Sequence, residues 1–142
     1  MALVDKSLIL RKIGDLELYQ KQIEEFSGIN VQSYSDDWKT QRIVERTLQM
    51  MVEICVDIAN HIVSDRVMRI PTGYSDTFKV LFENGVIDRG LFDIIEKMAK
   101  FRNIVVHQYE KVDAEIVIII LKKHLTDFEK FREAILSYLK KI

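Results

Sequence analysis

The sequence predicts an all-α fold, an up-and-down bundle of four to five helices forming one domain over residues 1–142. Three observations carry that prediction. Apolar residues recur at steps of three and four along most of the chain, the spacing that puts them on one face of a helix. A single Pro and five Gly in 142 residues leave too little turn material for a many-stranded β architecture. A composition of 48% hydrophobic and 30% charged residues suffices to bury a core without covalent staples. We find no internal repeat, low-complexity run or linker that would divide the chain.

The first helix spans Val4 to Phe26, with Ile9, Ile13, Leu16 and Ile23 as its apolar face and Gly28 as a left-handed stop. Residues Ile29 to Ser35 read as a short connector. Ser35, Asp36 and Asp37 then supply capping oxygens and first-turn negative charge. From Trp38 to about Met68 runs the longest helix. Its stripe, Val44, Leu48, Met51, Cys55, Ile58 and Ile62, repeats near 3.5 residues, the period of helices packed at shallow angles. Pro71 and Gly73 break it. Ser75 or Asp76 can cap a short helix that carries Phe78 and Leu81 and ends at Asn84-Gly85. Asp88 opens the next helix, with Ile87 and Phe92 as a hydrophobic staple. That helix covers Leu91, Ile95, Met98 and Val105 and frays near His107. Asp113, flanked by a Val112–Val117 staple, starts a last long helix striped by Val117, Leu121, Phe128, Phe131, Ile135 and Tyr138. The β-branched run Ile116 to Leu121 resembles a strand, but the apolar period continuing beyond it favours helix.

Several classes are excluded by composition. With 21 Lys+Arg against 22 Asp+Glu the net charge is -1, so a polyanion must be held by a local patch. One cysteine, Cys55, rules out an internal disulfide framework and a Cys-rich zinc site. Asp5, Lys6 and Arg11 crowd the stretch Met1 to Lys12 too closely for a signal peptide, and no apolar run approaches the roughly 20 residues that span a bilayer. The expectation is a soluble, cytoplasmic domain.

One residue breaks the pattern. On a helical wheel Arg102 falls in the middle of the apolar stripe Leu91, Ile95, Met98, Val105 and Tyr109. A guanidinium cannot shed its charge, so it must be paired, snorkel to the rim or face a cleft built for an anion. His107 follows five residues later, and Asn103 lies one turn before that histidine. An imidazole titrates near neutral pH and can move a proton. A fixed guanidinium can neutralise a phosphate and the charge that develops during displacement. RNA cleavage needs little more, because the 2′-hydroxyl is a built-in nucleophile, and no metal or other cofactor is called for.

The segment Phe101-Arg102-Asn103-Ile104-Val105-Val106-His107-Gln108-Tyr109 resembles the R-N-x-x-V-H-x-Y signature of HepT-type toxins in the HEPN superfamily. Val44-Glu45-Arg46 and Asp57-Ile58-Ala59-Asn60-His61-Ile62 are similar to that family's second helix. The stretch Pro71 to Phe78, with the following Gly85-Val86-Ile87, is similar to its middle connector. The resemblance implies an all-helical homodimer that acts as a metal-independent endoribonuclease, with Arg102 and His107 as the catalytic pair at the subunit interface and Asn103 in support. It implies a type VII-like toxin-antitoxin pairing with a nucleotidyltransferase of the MNT type, which silences the toxin by transferring AMP to Tyr109. A rival reading keeps the fold and drops the chemistry: a non-catalytic helical subunit that binds nucleotide or substrate for a nucleotidyltransferase.

On an ideal helix Arg102 and His107 are about 140° apart. Either the helix loosens before His107 or two chains share the pocket, and a combination of the two is expected. Tyr109 is expected about two turns, roughly 10 Å, from Arg102 on the same helix face. Asp57 and His61, at i and i+4, share a polar face with Glu53 and Gln49 and read as a surface pair, a support for the cleft or a partner contact. They are too thin for a metal site. His124 lies on the last helix's stripe and reads as a core or interface residue. Lys97, Lys100 and Lys111, with Lys122, Lys123 and Lys130, give the motif region a positive bias.

Overall fold

The structure, a computed structural model, describes residues 3–142. Met1 and Ala2, part of the stretch read for a leader, lie outside the described residues. The helices are α1 (Lys6–Glu24), α2 (Val31–Ser35), α3 (Trp38–Asp65), α4 (Tyr74–Glu83), α5 (Arg89–His107), α6 (Ala114–Ile119) and α7 (Leu125–Lys141). A 3-10 turn, Tyr109–Lys111, follows α5, and a π-helical turn, Ile120–His124, joins α6 to α7.

The long helices alternate in direction. The Asp5 amide at the start of α1 donates to Asp65 at the end of α3, and Gln20 donates to the Leu125 carbonyl at the start of α7. Lys6 meanwhile reaches the carbonyl of Ile142 at the other end of α7. α3 is the central post, packed against α1, α4 and α5. Its stripe from Val44 to Ile62 is buried with Ile9, Ile13, Leu16 and Ile23 of α1, Leu91 and Ile95 of α5, and Phe128, Phe131 and Ile135 of α7. Phe78 and Phe131 meet edge to face at 5.8 Å, closing α4 onto α7. Among the described residues no helix is long and apolar enough to cross a membrane.

Caps set most boundaries. Asp5, Asp37, Asp88 and Asp113 each accept from a first-turn amide of their helix. Four expectations are corrected. Gly28 does not adopt a left-handed conformation; α1 ends in tight turns, with Ser27 and Phe26 amides donating to Glu24 and Ile23 carbonyls. The connector after it contains α2, nucleated by a reciprocal Asn30–Ser33 capping box and pinned by buried Tyr34, whose hydroxyl donates to Glu45 at 2.6 Å. Gly73, rather than Ser75 or Asp76, precedes α4; Asp76 instead receives Arg69 and the Thr72 amide, locking the α3–α4 connector to the helix. The last helix is interrupted by the π turn, which adds a residue to one turn and slips the buried stripe by one position, from His124 and Tyr138 to Leu125 and Leu139, while Phe128, Phe131 and Ile135 stay buried as expected. His124 ends that turn half-exposed, its Nδ1 lying 2.8 Å from the buried Asp127 carboxylate.

The ends of α3 and α4 show the same hydrogen-bond pattern with different residues. At each, the second amide past the cap bonds the carbonyl five residues back and the first bonds the next carbonyl, three residues back, the Schellman arrangement. Gly85 fills the left-handed position after α4 at φ 74°, as its sequence suggests; after α3 the position falls to Val67 at φ 54°.

Candidate active site

Because α3 and α5 run antiparallel, the last turns of α5 lie along the first half of α3. Arg102 leans across this contact. Its Nε and Nη2 donate to Glu53 Oε1 at 3.0 and 2.8 Å, and its Nη1 donates to Asn103 Oδ1 at 3.2 Å. Gln49, one turn before Glu53, donates to the same carboxylate oxygen at 3.0 Å. The guanidinium carbon sits 4.5 Å from the centre of the Tyr74 ring, at the start of α4.

Of the alternatives open for Arg102, the ion pair is the one found. It is not sealed: the Arg102 side chain is 15% exposed and that of Glu53 31%. A guanidinium has five N–H donors. Glu53 and Asn103 engage three of them, leaving one on Nη1 and one on Nη2 for an incoming anion. Burial pushes the Glu53 carboxyl up, but hydrogen bonds from Gln49 and Arg102 and the charges of Arg102 and Arg46 outweigh it and hold the group below its ordinary value. Glu53 therefore stays ionised and fixes Arg102 in one pose.

Asn103 is exposed and orients Arg102 through its side-chain oxygen. His107 is exposed and is the last residue of α5. The helix is regular as far as His107, so the expected loosening before it does not occur. The two side chains keep their separation of about 140°. Arg102 faces α3, while His107 falls one turn beyond Ile104 on another side of α5. The structure does not bring Arg102 and His107 together within one chain.

Tyr109 is also placed differently from the expectation. α5 stops at His107, and Tyr109 stands in the 3-10 turn beyond it, 69% exposed rather than on the same helix face as Arg102. It borders a cavity of about 530 Å³ that Arg42, Glu45, Arg46, Gln49, Val105 and Val106 complete. On the other side of Glu53 a second cavity, about 510 Å³, is lined by Asp15, Tyr19, Asp57, Asn60 and Tyr74 among others. Asp57 is tied to Lys12 and lies 3.7 Å from His61, so this pair is anchored to α1 and stands next to Arg102 only through Glu53.

Sequence reasoning placed Glu53 and Gln49 on the correct face without seeing that Glu53 holds Arg102 and Gln49 holds Glu53. Their place on the Asp57 face of α3, four and eight residues before it, was the available signal. Tyr74 gave none, because its contact with Arg102 depends on the path of the α3–α4 connector.

A family model described as Ribonuclease HepT-like matches residues 16–135 of the chain. The chain belongs to that family. It is 36% identical over 128 residues to the mRNA nuclease HepT of Shewanella oneidensis, covering 90% of this chain and 96% of that protein. It is 26% identical over 143 residues to the tRNA nuclease HepT of Aphanizomenon flos-aquae, covering 98% and 95%. The tri-AMPylated Shewanella oneidensis HEPN toxin solved in complex with MNT antitoxin superposes with a TM-score of 0.83 at 34% identity, over 91% of this chain and 96% of that one. This HepT-like chain thus has the fold of a HEPN toxin along nearly its whole length.

Proposed function

We propose that this HepT-like protein is a metal-independent endoribonuclease toxin that acts as a homodimer in the cytoplasm and is silenced by an MNT-type nucleotidyltransferase. The observation that carries the reading is Arg102 itself: a permanent cation clamped in one pose by Glu53, Asn103 and Tyr74, with two N–H donors still free at the rim of a groove. Relatives that are named mRNA and tRNA nucleases support RNA as the substrate class.

In the reaction, the RNA 2′-oxygen bonds to the adjacent phosphorus while the bond from phosphorus to the 5′-oxygen breaks. His107 takes the 2′-hydroxyl proton, and the departing oxygen takes one from solvent. Arg102 donates to the non-bridging oxygens, where negative charge concentrates in the transition state. The products are a 2′,3′-cyclic phosphate and a free 5′-hydroxyl.

Dimerisation supplies the missing geometry. Ile104, Ile116 and Ile119 are 37%, 47% and 47% exposed, and the latter two border an apolar groove of about 230 Å³ with Met98 and Phe101. Ile104 stands one turn before His107 on α5, so covering these apolar residues with a second copy would carry that imidazole towards another chain's Arg102. Silencing follows from Tyr109: an adenylyl group on this exposed hydroxyl projects over the groove and puts anionic phosphate where RNA phosphate would bind. Purified Arg102→Ala and His107→Ala should each lose RNA cleavage and growth inhibition while keeping helical content and oligomeric state. Full cleavage by clean preparations of both variants excludes the mechanism.

A further inference from the structure

The cavity beside Tyr109 contains two cations that the chemistry above leaves idle. Arg42 and Arg46 stand one turn apart on the exposed face of α3 and point their charge into the groove that Val105, Val106 and Tyr109 close from the other side. Arg69 is engaged with Asp76 and Glu83, Arg89 with Asp93 and Arg132 with Glu133, whereas among the described residues the exposed Arg11 on α1 likewise has no ion pair but lines no cavity with a second cation. Among the described residues no ion pair or hydrogen bond ties Arg42 or Arg46, although Glu45 lies between them. That carboxylate is occupied by the buried Tyr34 hydroxyl, which donates to it at 2.6 Å. The cavity therefore presents a net positive charge, two guanidinium forks with no hydrogen-bond partner among the described residues and an exposed aromatic ring at its mouth.

We infer that Arg42 and Arg46 form a phosphate-binding subsite for the RNA strand, two to three nucleotides away from the bond cut at Arg102. The inference rests on the proposed RNA cleavage. Distance sets the register. Glu53, which holds Arg102, follows Arg46 by seven residues on α3, a rise of about 10 Å. A stacked strand advances about 3.4 Å per nucleotide, so the strand that offers one phosphate to Arg102 brings another to Arg46 two or three linkages on. Arg42 lies about 6 Å further along the helix, one to two linkages beyond. Tyr109 gives an intervening base a ring to stack on. Guanidinium forks match phosphate oxygens two at a time, which suits a subsite that must hold a flexible strand in register.

Two measurements on the full-length protein test this. The first is the affinity for a 2′-O-methyl oligoribonucleotide of about ten nucleotides, which binds but lacks the nucleophile. Arg42→Gln with Arg46→Gln should weaken binding by about tenfold per guanidinium removed. The slope of log affinity against log salt should become shallower by about 1.4, the value for two lost contacts to a single strand. The second changes the substrate, so that its first readout, on the wild-type protein, does not depend on the folding of a variant. A neutral methylphosphonate two or three linkages from the cut should lower kcat/KM about tenfold, and it should have little further effect in the double variant, because the two changes remove the same contact. Unchanged affinity and salt slope in the double variant overturn the subsite, including the case in which these arginines serve an acidic protein partner instead. Binding without cleavage by the wild type contradicts the nuclease reading and leaves the affinity test of the subsite intact.

Discussion

Replacing Glu53 with Gln removes the charge that holds Arg102 and changes little else in shape. Glu53 Oε1 accepts from Arg102 Nε and Nη2 at 3.0 and 2.8 Å, and the Arg102 side chain is only 15% exposed. Charge-assisted hydrogen bonds contribute about 1.5–3 kcal/mol, and breaking a fully buried ion pair costs about 3–5 kcal/mol. With Glu53 itself 31% exposed, solvent screening lowers the expectation to about 1–2 kcal/mol. For a chain of this size that is a fall of about 3–7 °C in Tm. The effect must depend on pH with a definite sign. The folded protein holds the Glu53 carboxyl below its ordinary value, so the pair's stabilisation is complete above that ordinary value and is lost as pH falls through the depressed one. Calorimetric melts of wild type and Glu53→Gln should therefore differ at pH 7 and converge in acid, with RNA cleavage reduced because Arg102 is no longer held in place. Equal Tm values at pH 7, or a difference that persists unchanged into strong acid, would refute the reasoning.

Other expectations concern backbone strain, the core and the modification. Val67→Gly should raise Tm by about 2–4 °C, because a left-handed valine costs about 1–2 kcal/mol and glycine's greater unfolded freedom returns only part of it; a lower Tm would show that the position is unstrained. Phe131→Ala, at a site fully buried against Phe78, should cost about 3–5 kcal/mol in denaturant titration, and a loss under 1 kcal/mol would show that the α4–α7 contact is not part of the core. Incubation with an MNT-type nucleotidyltransferase and ATP should add AMP masses to the wild type and none to Tyr109→Phe; an unmodified wild type would count against the silencing route.

Most of the fold was legible because most of it is written in local rules. The stripes of α1, α3 and α5 set their buried faces, and Asp37, Asp88 and Asp113 start their helices by capping chemistry that needs no tertiary information. The errors fall where local rules compete. Asn30 and Ser33 form a capping box with serine in the place usually taken by Glu or Gln, so α2 was hidden in an apparent connector. The π turn at Ile120–His124 leaves the heptad nearly in phase on both sides, so a periodicity argument runs through it. Val67 adopts a conformation that sequence assigns to glycine, imposed by the closing turn of α3.

The site divides in the same way. Arg102 stood out because a fixed cation in an apolar stripe demands an explanation, and the motif around it named His107, Asn103 and Tyr109. The partners that set its pose could not be read, since Glu53 is 49 residues away and Tyr74 reaches it across a loop. The true end of α5 was also decisive: it moved Tyr109 off the helix and kept His107 turned away from Arg102.

That last point leads to the most direct measurement. Arg102→Ala and His107→Ala proteins, each inactive as a homodimer, are unfolded together in equal amounts and refolded so that chains exchange. If a site takes its guanidinium from one chain and its imidazole from the other, half of the dimers are mixed and each carries one intact site, restoring about a quarter of wild-type RNA cleavage. If the mixture, with heterodimers verified by mass, remains as inactive as its parents, the two groups do not act across the interface and the account is wrong.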